Sequence, residues 1–399
     1  LLSIVLVFLG IKCMQVFLQI KQDDLKSVLG GILLASNPLL LYYSQEGRPY
    51  MLATFLATWS LLSFWEYFFT NKKPYYFFLI STILLFWSHY LVWFIWVVEL
   101  LMIVIFKRTL QIILKVSIPI LGIIPLLPLL LKQTSLGSEI STSLPVWHQL
   151  SALTWHNLLL IPAKLITGRI PLDTSWWQIA LIAGLWLLWL VGIFISVLKT
   201  IKKGDSHDKK ILTLLLLWLG LPVVLAVIVS LKWSLFSYFR FLYIVPAFYL
   251  LLLFSLKTSS RHLQLLIFGV FLAGNLICSG LYLFNQNNYR EDWKGLVSYI
   301  SQKNIVRQVI IIKSVEAPFW FYDTNAHHLI DYPNISQVRY LKSLWLIAYA
   351  QPIFEPDNHT FLQLTQDYGF RVVDKKIFRG DLVLYYLENP NGMMAFKNL

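Results

Sequence analysis

The chain reads as a polytopic α-helical membrane protein that ends in a small α/β domain, and three observations carry that reading. Of 399 residues, 57% are hydrophobic and only 13% are charged, with a mean hydropathy of +0.65. A soluble domain carries about 25% charged residues. Apolar runs of roughly 20 residues, the length that spans a bilayer core, recur from 1 to 284. From 285 to 399 the pattern changes to short, β-type runs separated by polar residues.

Ten apolar segments are predicted as spans: 1–20, 27–43, 50–70, 75–89, 91–106, 112–131, 178–198, 211–230, 239–256 and 263–284. A single helix over 75–106 would be about 48 Å long, well beyond a core of about 30 Å. Ser88-His89-Tyr90 therefore predicts a hairpin. The basic residues then alternate between two faces. Fourteen fall on one, among them Lys21, Lys26, Lys72, Lys107, Lys115, Lys202, Lys210 and Lys257, and six on the other: Arg48, Lys132, Lys164, Arg169, Lys232 and Arg240. The positive-inside rule makes the richer face cytoplasmic. The 44–50 stretch, His89, the 132–177 loop, the 231–240 loop and the C-terminal domain are then expected outside. The 132–177 loop, with Trp147, Trp155, Trp176 and Trp177, predicts amphipathic helices along the membrane surface.

The net charge of +13 does not point to nucleic acid. Residues 285–399 hold 12 Lys/Arg and 11 Asp/Glu, so the excess belongs to the membrane part, where it reports orientation. Cys13 and Cys278 both lie in apolar spans, which argues against a disulfide framework or a zinc site. No cofactor is indicated; a divalent metal is compatible with the sequence but not indicated by it. In the last 115 residues, strands are predicted at 308–312, 343–349 and 381–386, and a helix at 361–368.

The chemistry-bearing residues collect on the expected outer face. Ser44-Gln45-Glu46-Gly47-Arg48-Pro49-Tyr50 puts an acid and an arginine where one apolar segment stops and the next begins. Glu46 and Arg48 are read either as a local ion pair or as a phosphate fork with its orienting acid. Pro49 suits the first turn of the next helix, whose N-terminus favours an anion. His89 is read as a solvated loop histidine or as a hydrogen-bond donor. Arg240 either snorkels or joins Arg48 on one anion. Lys164 and Arg169 are ordinary juxtamembrane charges or lipid-headgroup contacts. Glu99, inside a span, is a functional candidate or a neutral hydrogen-bonded acid. His327-His328 is read as surface.

These stretches resemble the bacterial GT-C membrane glycosyltransferases of the protein-mannosyltransferase-like and aminoarabinose-transferase-like superfamily. The shared pattern is Pro38 to Tyr50 with its Tyr-Ser-Gln-Glu-x-Arg-Pro-Tyr core, then Ser88-His89-Tyr90, Arg240 to Pro246, and Arg290-Glu291-Asp292-Trp293-Lys294. The resemblance implies a GT-C fold, with residues 1–284 as transmembrane domain and 285–399 as extracytoplasmic domain. It implies transfer of a sugar from a polyprenyl-phosphate donor to a lipid, glycan or protein acceptor outside the bacterial inner membrane, in building the cell envelope. Arg48, Arg240, Tyr50, Tyr90, Tyr243 and Lys164 become the candidate donor-phosphate ligands. Glu46 and His89 become the catalytic candidates, with Asp173 and Glu291 in reserve. The family places its base, an Asp, in a loop after a first helix. The chain as given opens at what would be the second helix, so it is expected to lack the base and to be inactive alone. A transporter or flippase, or a polymerase or ligase of lipid-linked glycans, is the competing reading, and a receptor with an external binding module is a third.

Overall fold

The structure, a computed structural model, describes residues 1–21, 25–143, 151–171, 176–257, 259–303 and 306–392. The chain divides into two compact units. One spans Leu1–Ser138 and Leu150–Phe284, the other Asn285–Leu399 with Glu139–Gln149.

The first unit is helical, and every predicted apolar segment holds helix. Among the described residues, five helical stretches are long and apolar enough to cross a membrane: Leu110–Leu136, Gln178–Lys203, Ser206–Ser230, Tyr238–Leu256 and Arg261–Phe284. Leu2–Phe17, Lys26–Ser36, Tyr75–Ser88 and Tyr90–Phe106 are shorter apolar helices. This is a membrane protein on those grounds. The Tyr238–Leu256 stretch is its axis, with Phe241 to Leu253 almost wholly shielded from solvent.

The breaks between helices have local causes. Leu25–Ser36 stops at Asn37, whose extended backbone is the one favoured before proline. Pro38 then opens Pro38–Tyr43 at a position where it forfeits no helical hydrogen bond. The Asn37 side chain caps that helix by accepting from Leu39 N and Leu40 N at 3.1 and 2.9 Å. Tyr75–Ser88 ends at His89, which is also extended, and Trp93–Phe106 follows a short 3-10 turn. The segment expected at 112–131 is longer and irregular. Leu110–Ser117 and Leu127–Ser143 are α-helical, but Ile118–Leu126 between them tightens to a 3-10 helix containing Pro119 and Pro125. Helix Trp155–Thr167 lies in the expected interfacial loop, with Trp155 exposed. Trp147 and Asp173 lie outside the described residues, as does the side chain of Trp177.

Among its described residues the second unit is a mixed sheet of five strands: β1 Gln308–Ile310, β2 His328–Ile330, β3 Ser343–Ala348, β4 Arg371–Phe378 and β5 Leu382–Glu388. Their order in the sheet is β2-β1-β3-β5-β4. β1 pairs parallel with β2 and β3, while β5 pairs antiparallel with β3 and β4. The two-residue period sends Val309, Trp345 and Ile347 to one face, against Trp293, Leu296, Val297 and Ile300 of helix Trp293–Lys303. It sends Ile310, Leu344 and Leu346 to the other, against Tyr332, Ile335 and Val338. The helix expected at 361–368 is found as His359–Leu362 continued by a π-turn over Gln363–Asp367.

Candidate functional site

The site is assembled at the helix ends that carry the 44–50 motif. Asn37 anchors it from below. Its amide donates to Leu165 O at 2.9 Å and to the Tyr249 hydroxyl at 3.0 Å. Tyr249 in turn donates to Asn275 Oδ1 at 3.0 Å, and Asn275 donates to Leu33 O at 3.0 Å. Asn37 is fully buried. One asparagine thus uses its oxygen and both amide hydrogens to join helix Pro38–Tyr43 to helices Trp155–Thr167 and Val245–Leu256. A second tie is Gly168, which has φ +65°. A Cβ there would come within 2.8 Å of Pro38 Cβ and 2.9 Å of its carbonyl carbon, so only glycine allows the approach.

Above that anchor a run of aromatic rings links the candidates. Lys164 Nζ lies 5.8 Å from the Tyr238 ring centroid, and Tyr238 is 5.5 Å from Phe239. Phe239 is 5.2 Å from Tyr50, and Tyr50 is 5.6 Å from His89. Tyr43 packs on Tyr42, Tyr50 and Phe239. Arg169 stands 5.0 Å over the Tyr42 ring, and Tyr282 brings in the last helix of the unit through Tyr42. Arg240 lies within electrostatic range of the Tyr50 hydroxyl. Residues 42–50, 89, 164–169, 238–240 and 282 therefore form one constellation.

The charges in it are unequal. Glu46 has a nearly buried carboxylate, 4.0 Å from the largely exposed Arg48 and within electrostatic range of Arg169. At that distance Arg48 is a loose partner, free to serve another anion, and it sits beside the N-terminus of helix Tyr50–Phe68. Lys164 is buried. Its amine donates to Ile170 O at 2.5 Å, and burial, followed by the nearby Arg169, pulls its pKa down to about 8. Burial, then Arg240, pushes His89 down to about 4. His89 Nδ1 accepts from Leu91 N at 3.2 Å. The neutral ring must then carry its hydrogen on Nε2, so its remaining function is to donate.

Three of the sequence candidates are spent elsewhere. The Tyr243 hydroxyl, deep in the core, donates to Leu91 O at 3.0 Å and so fixes the turn after His89. The Tyr90 hydroxyl donates to Gln133 Oε1. Glu291 accepts from the Tyr349 hydroxyl at 2.9 Å, and Asp292 caps the helix Trp293–Lys303 through Gly295 N at 2.9 Å. Both acids serve the fold of the second unit. His327 is a correction to the sequence reading. It is buried rather than at the surface, with Nδ1 2.6 Å from Asp323 Oδ1. His328 is exposed.

Sequence reasoning assigned no role to Asn37, Tyr238, Phe239 or Tyr282, and Tyr42 entered it only as part of the 38–50 pattern. The Asn-Pro dipeptide before an apolar run was a usable cap signal. Tyr238, Phe239 and Tyr282 carried no signal beyond composition. Comparison with known protein families, curated proteins and solved structures finds no match to this chain.

Proposed function

We propose that the helical unit binds a polyprenyl-phosphate sugar and belongs to a membrane glycosyltransferase. The observation that carries this reading is the convergence of Lys164, Arg169, Arg240 and the loosely held Arg48 on one aromatic-lined constellation, at the end of an apolar bundle. Cations beside apolar walls suit a ligand that is an anion at one end and hydrocarbon at the other. Aromatic faces suit a sugar ring.

In the transfer, the acceptor oxygen attacks the anomeric carbon while the bond from that carbon to the phosphate oxygen breaks. Charge then grows on the departing phosphate. Arg240 and Lys164 oppose that charge, and His89 Nε2–H donates to it. The acceptor proton needs a base. His89 is unsuited, because its one free nitrogen already carries hydrogen. The Glu46 carboxylate is already turned to Arg48 and lies near Arg169. The site as described therefore binds and stabilises the leaving group and leaves proton abstraction unassigned. We place this end of the unit, and the 285–399 domain, outside the cytoplasm of a bacterial inner membrane, on the strength of the 14-to-6 basic bias.

The test is capture by a photoreactive polyprenyl phosphate. Labelling should fall near 42–50 and 238–240, and polyprenyl phosphate should compete while the uncharged polyprenol should not. Binding should weaken as pH rises through about 8, as Lys164 loses its charge. Equal competition by the alcohol would remove the phosphate from the reading. Impermeant thiol labelling of Ser88→Cys and Asn325→Cys, but not Ser206→Cys, tests the orientation.

A further inference from the structure

Ser60, Thr82 and Glu99 come from three helices, Tyr50–Phe68, Tyr75–Ser88 and Trp93–Phe106, and all three are wholly shielded from solvent. Thr82 Oγ1 lies 2.8 Å from Phe78 O. Ser60 Oγ lies 2.8 Å from Thr82 Oγ1 and 2.7 Å from Glu99 Oε1. Each of these three contacts needs one hydrogen. A carbonyl oxygen offers none, and the two hydroxyls offer one each. The third hydrogen has to come from the carboxyl group.

We infer that Glu99 is a proton-binding site inside the helical unit, and that its proton sets the direction of a hydrogen-bond chain across three helices. With the proton bound, the chain runs from Glu99 Oε1 to Ser60, from Ser60 to Thr82, and from Thr82 to Phe78 O. The other carboxyl oxygen, Oε2, is buried and has no hydrogen-bond partner. An ionised carboxylate would have to keep its charge there on a single hydroxyl contact, and an unpaired buried charge costs far more than an under-bonded neutral acid. No ion pair reaches Glu99 among the described residues. The ionisable groups on these helices and on those packed against them are Lys12, Cys13, Tyr42, Tyr43, Tyr50, Glu66, Tyr67, Tyr75, Tyr76, Tyr90, Lys115, the His207–Lys210 run, Tyr238, Arg240 and Tyr243. Of these, Tyr75 donates to Lys115 O, Lys115 reaches Tyr67, and His207 reaches Phe17 O. None of the group is hydrogen-bonded to Glu99.

Loss of the proton to a base in water reverses the chain. Ser60 turns its hydrogen to Glu99, Thr82 turns its own to Ser60, and Phe78 O keeps only its other donors, Ser81 among them at 3.0 Å. Proton occupancy is thereby coupled to two hydroxyl orientations on separate helices.

Infrared spectroscopy of the whole chain in lipid tests this. A protonated-carboxyl carbonyl band should be present at neutral pH, should shift in heavy water, and should vanish in Glu99→Gln. Ser60→Ala should keep the band and move it to higher frequency, because the acid loses its acceptor. Absence of the band at neutral pH, or its persistence in Glu99→Gln, would overturn the proposal. Should Glu99→Gln not fold, an unmoved band in Ser60→Ala would overturn it equally.

Discussion

The helical unit has two ends, and basic residues are treated differently at each. At one, Lys107 and Lys210 lie 5.5 and 6.0 Å over the same Phe69 ring, His207 reaches Phe17 O at 2.9 Å, and Lys257 pairs with Asp208 at 2.7 Å. Lys107 and Lys115 stay exposed there. At the other, Lys164 is buried, Arg169 covers Tyr42 and Arg240 stands near Tyr50. The first arrangement lets long side chains lay their stems on apolar surface and keep their charges wet. The second pays for cations held among rings, with no acid matched to each. The neighbourhoods of Lys107, Lys210 and Lys257 gather at the first end, and the 42–50, 164–169 and 238–240 stretches at the second. Only one end holds charge in a form that a ligand would relieve.

Four measurements press on that contrast, the largest effect first. Asn37→Ala removes a helix cap and two buried donors at once, and should cost about 3 kcal/mol in unfolding free energy in detergent. A loss below about 1 kcal/mol would mean that the aromatic constellation is not held from beneath. Next, Arg240→Ala should weaken polyprenyl-phosphate binding roughly 10- to 100-fold, the worth of one charge-assisted contact. Lys257→Ala at the opposite end should leave binding unchanged, and equal losses from both would erase the distinction.

The third measurement concerns His89. Its folded pKa of about 4 lies below the usual value of 6.5, so the unfolded chain binds the extra proton first. Stability from this residue is complete above pH 6.5 and declines as pH falls towards 4. One pKa unit is worth about 1.4 kcal/mol. Allowing for its partial contact with water, a loss on the order of 1–2 kcal/mol is expected, and His89→Gln should flatten that part of the profile. Smallest of all, Asp208→Asn breaks the half-exposed pair with Lys257 and should cost about 1 kcal/mol or less. A larger cost would make the basic end as tightly built as the other.

The sequence made the apolar helices legible because length and hydropathy are local properties. It hid what depends on distant partners. Tyr42 meets Arg169 and Tyr282, and Asn37 meets Tyr249, across more than a hundred residues, and no periodicity marks such pairs. In the second unit β2 has three residues, too few to show an alternation, and β4 is an edge strand exposed on most of both faces, with Arg371, Asp374, Lys375 and Lys376. Charged edge strands resist pairing with other chains, but they do not read as strands. His327 was misjudged because its partner, Asp323, lies four residues back in a turn rather than on a regular element.

Gly168 reaches further than its size suggests. The chain on one side of it carries Lys164 and on the other Arg169, while Pro38, against which it rests, opens the segment that carries Glu46 and Arg48. Side-chain volume at this single position is a spacer between the two halves of the constellation. Because the backbone here sits at φ +65°, any side chain both strains the chain and pushes on Pro38, so alanine alone would already disturb both halves.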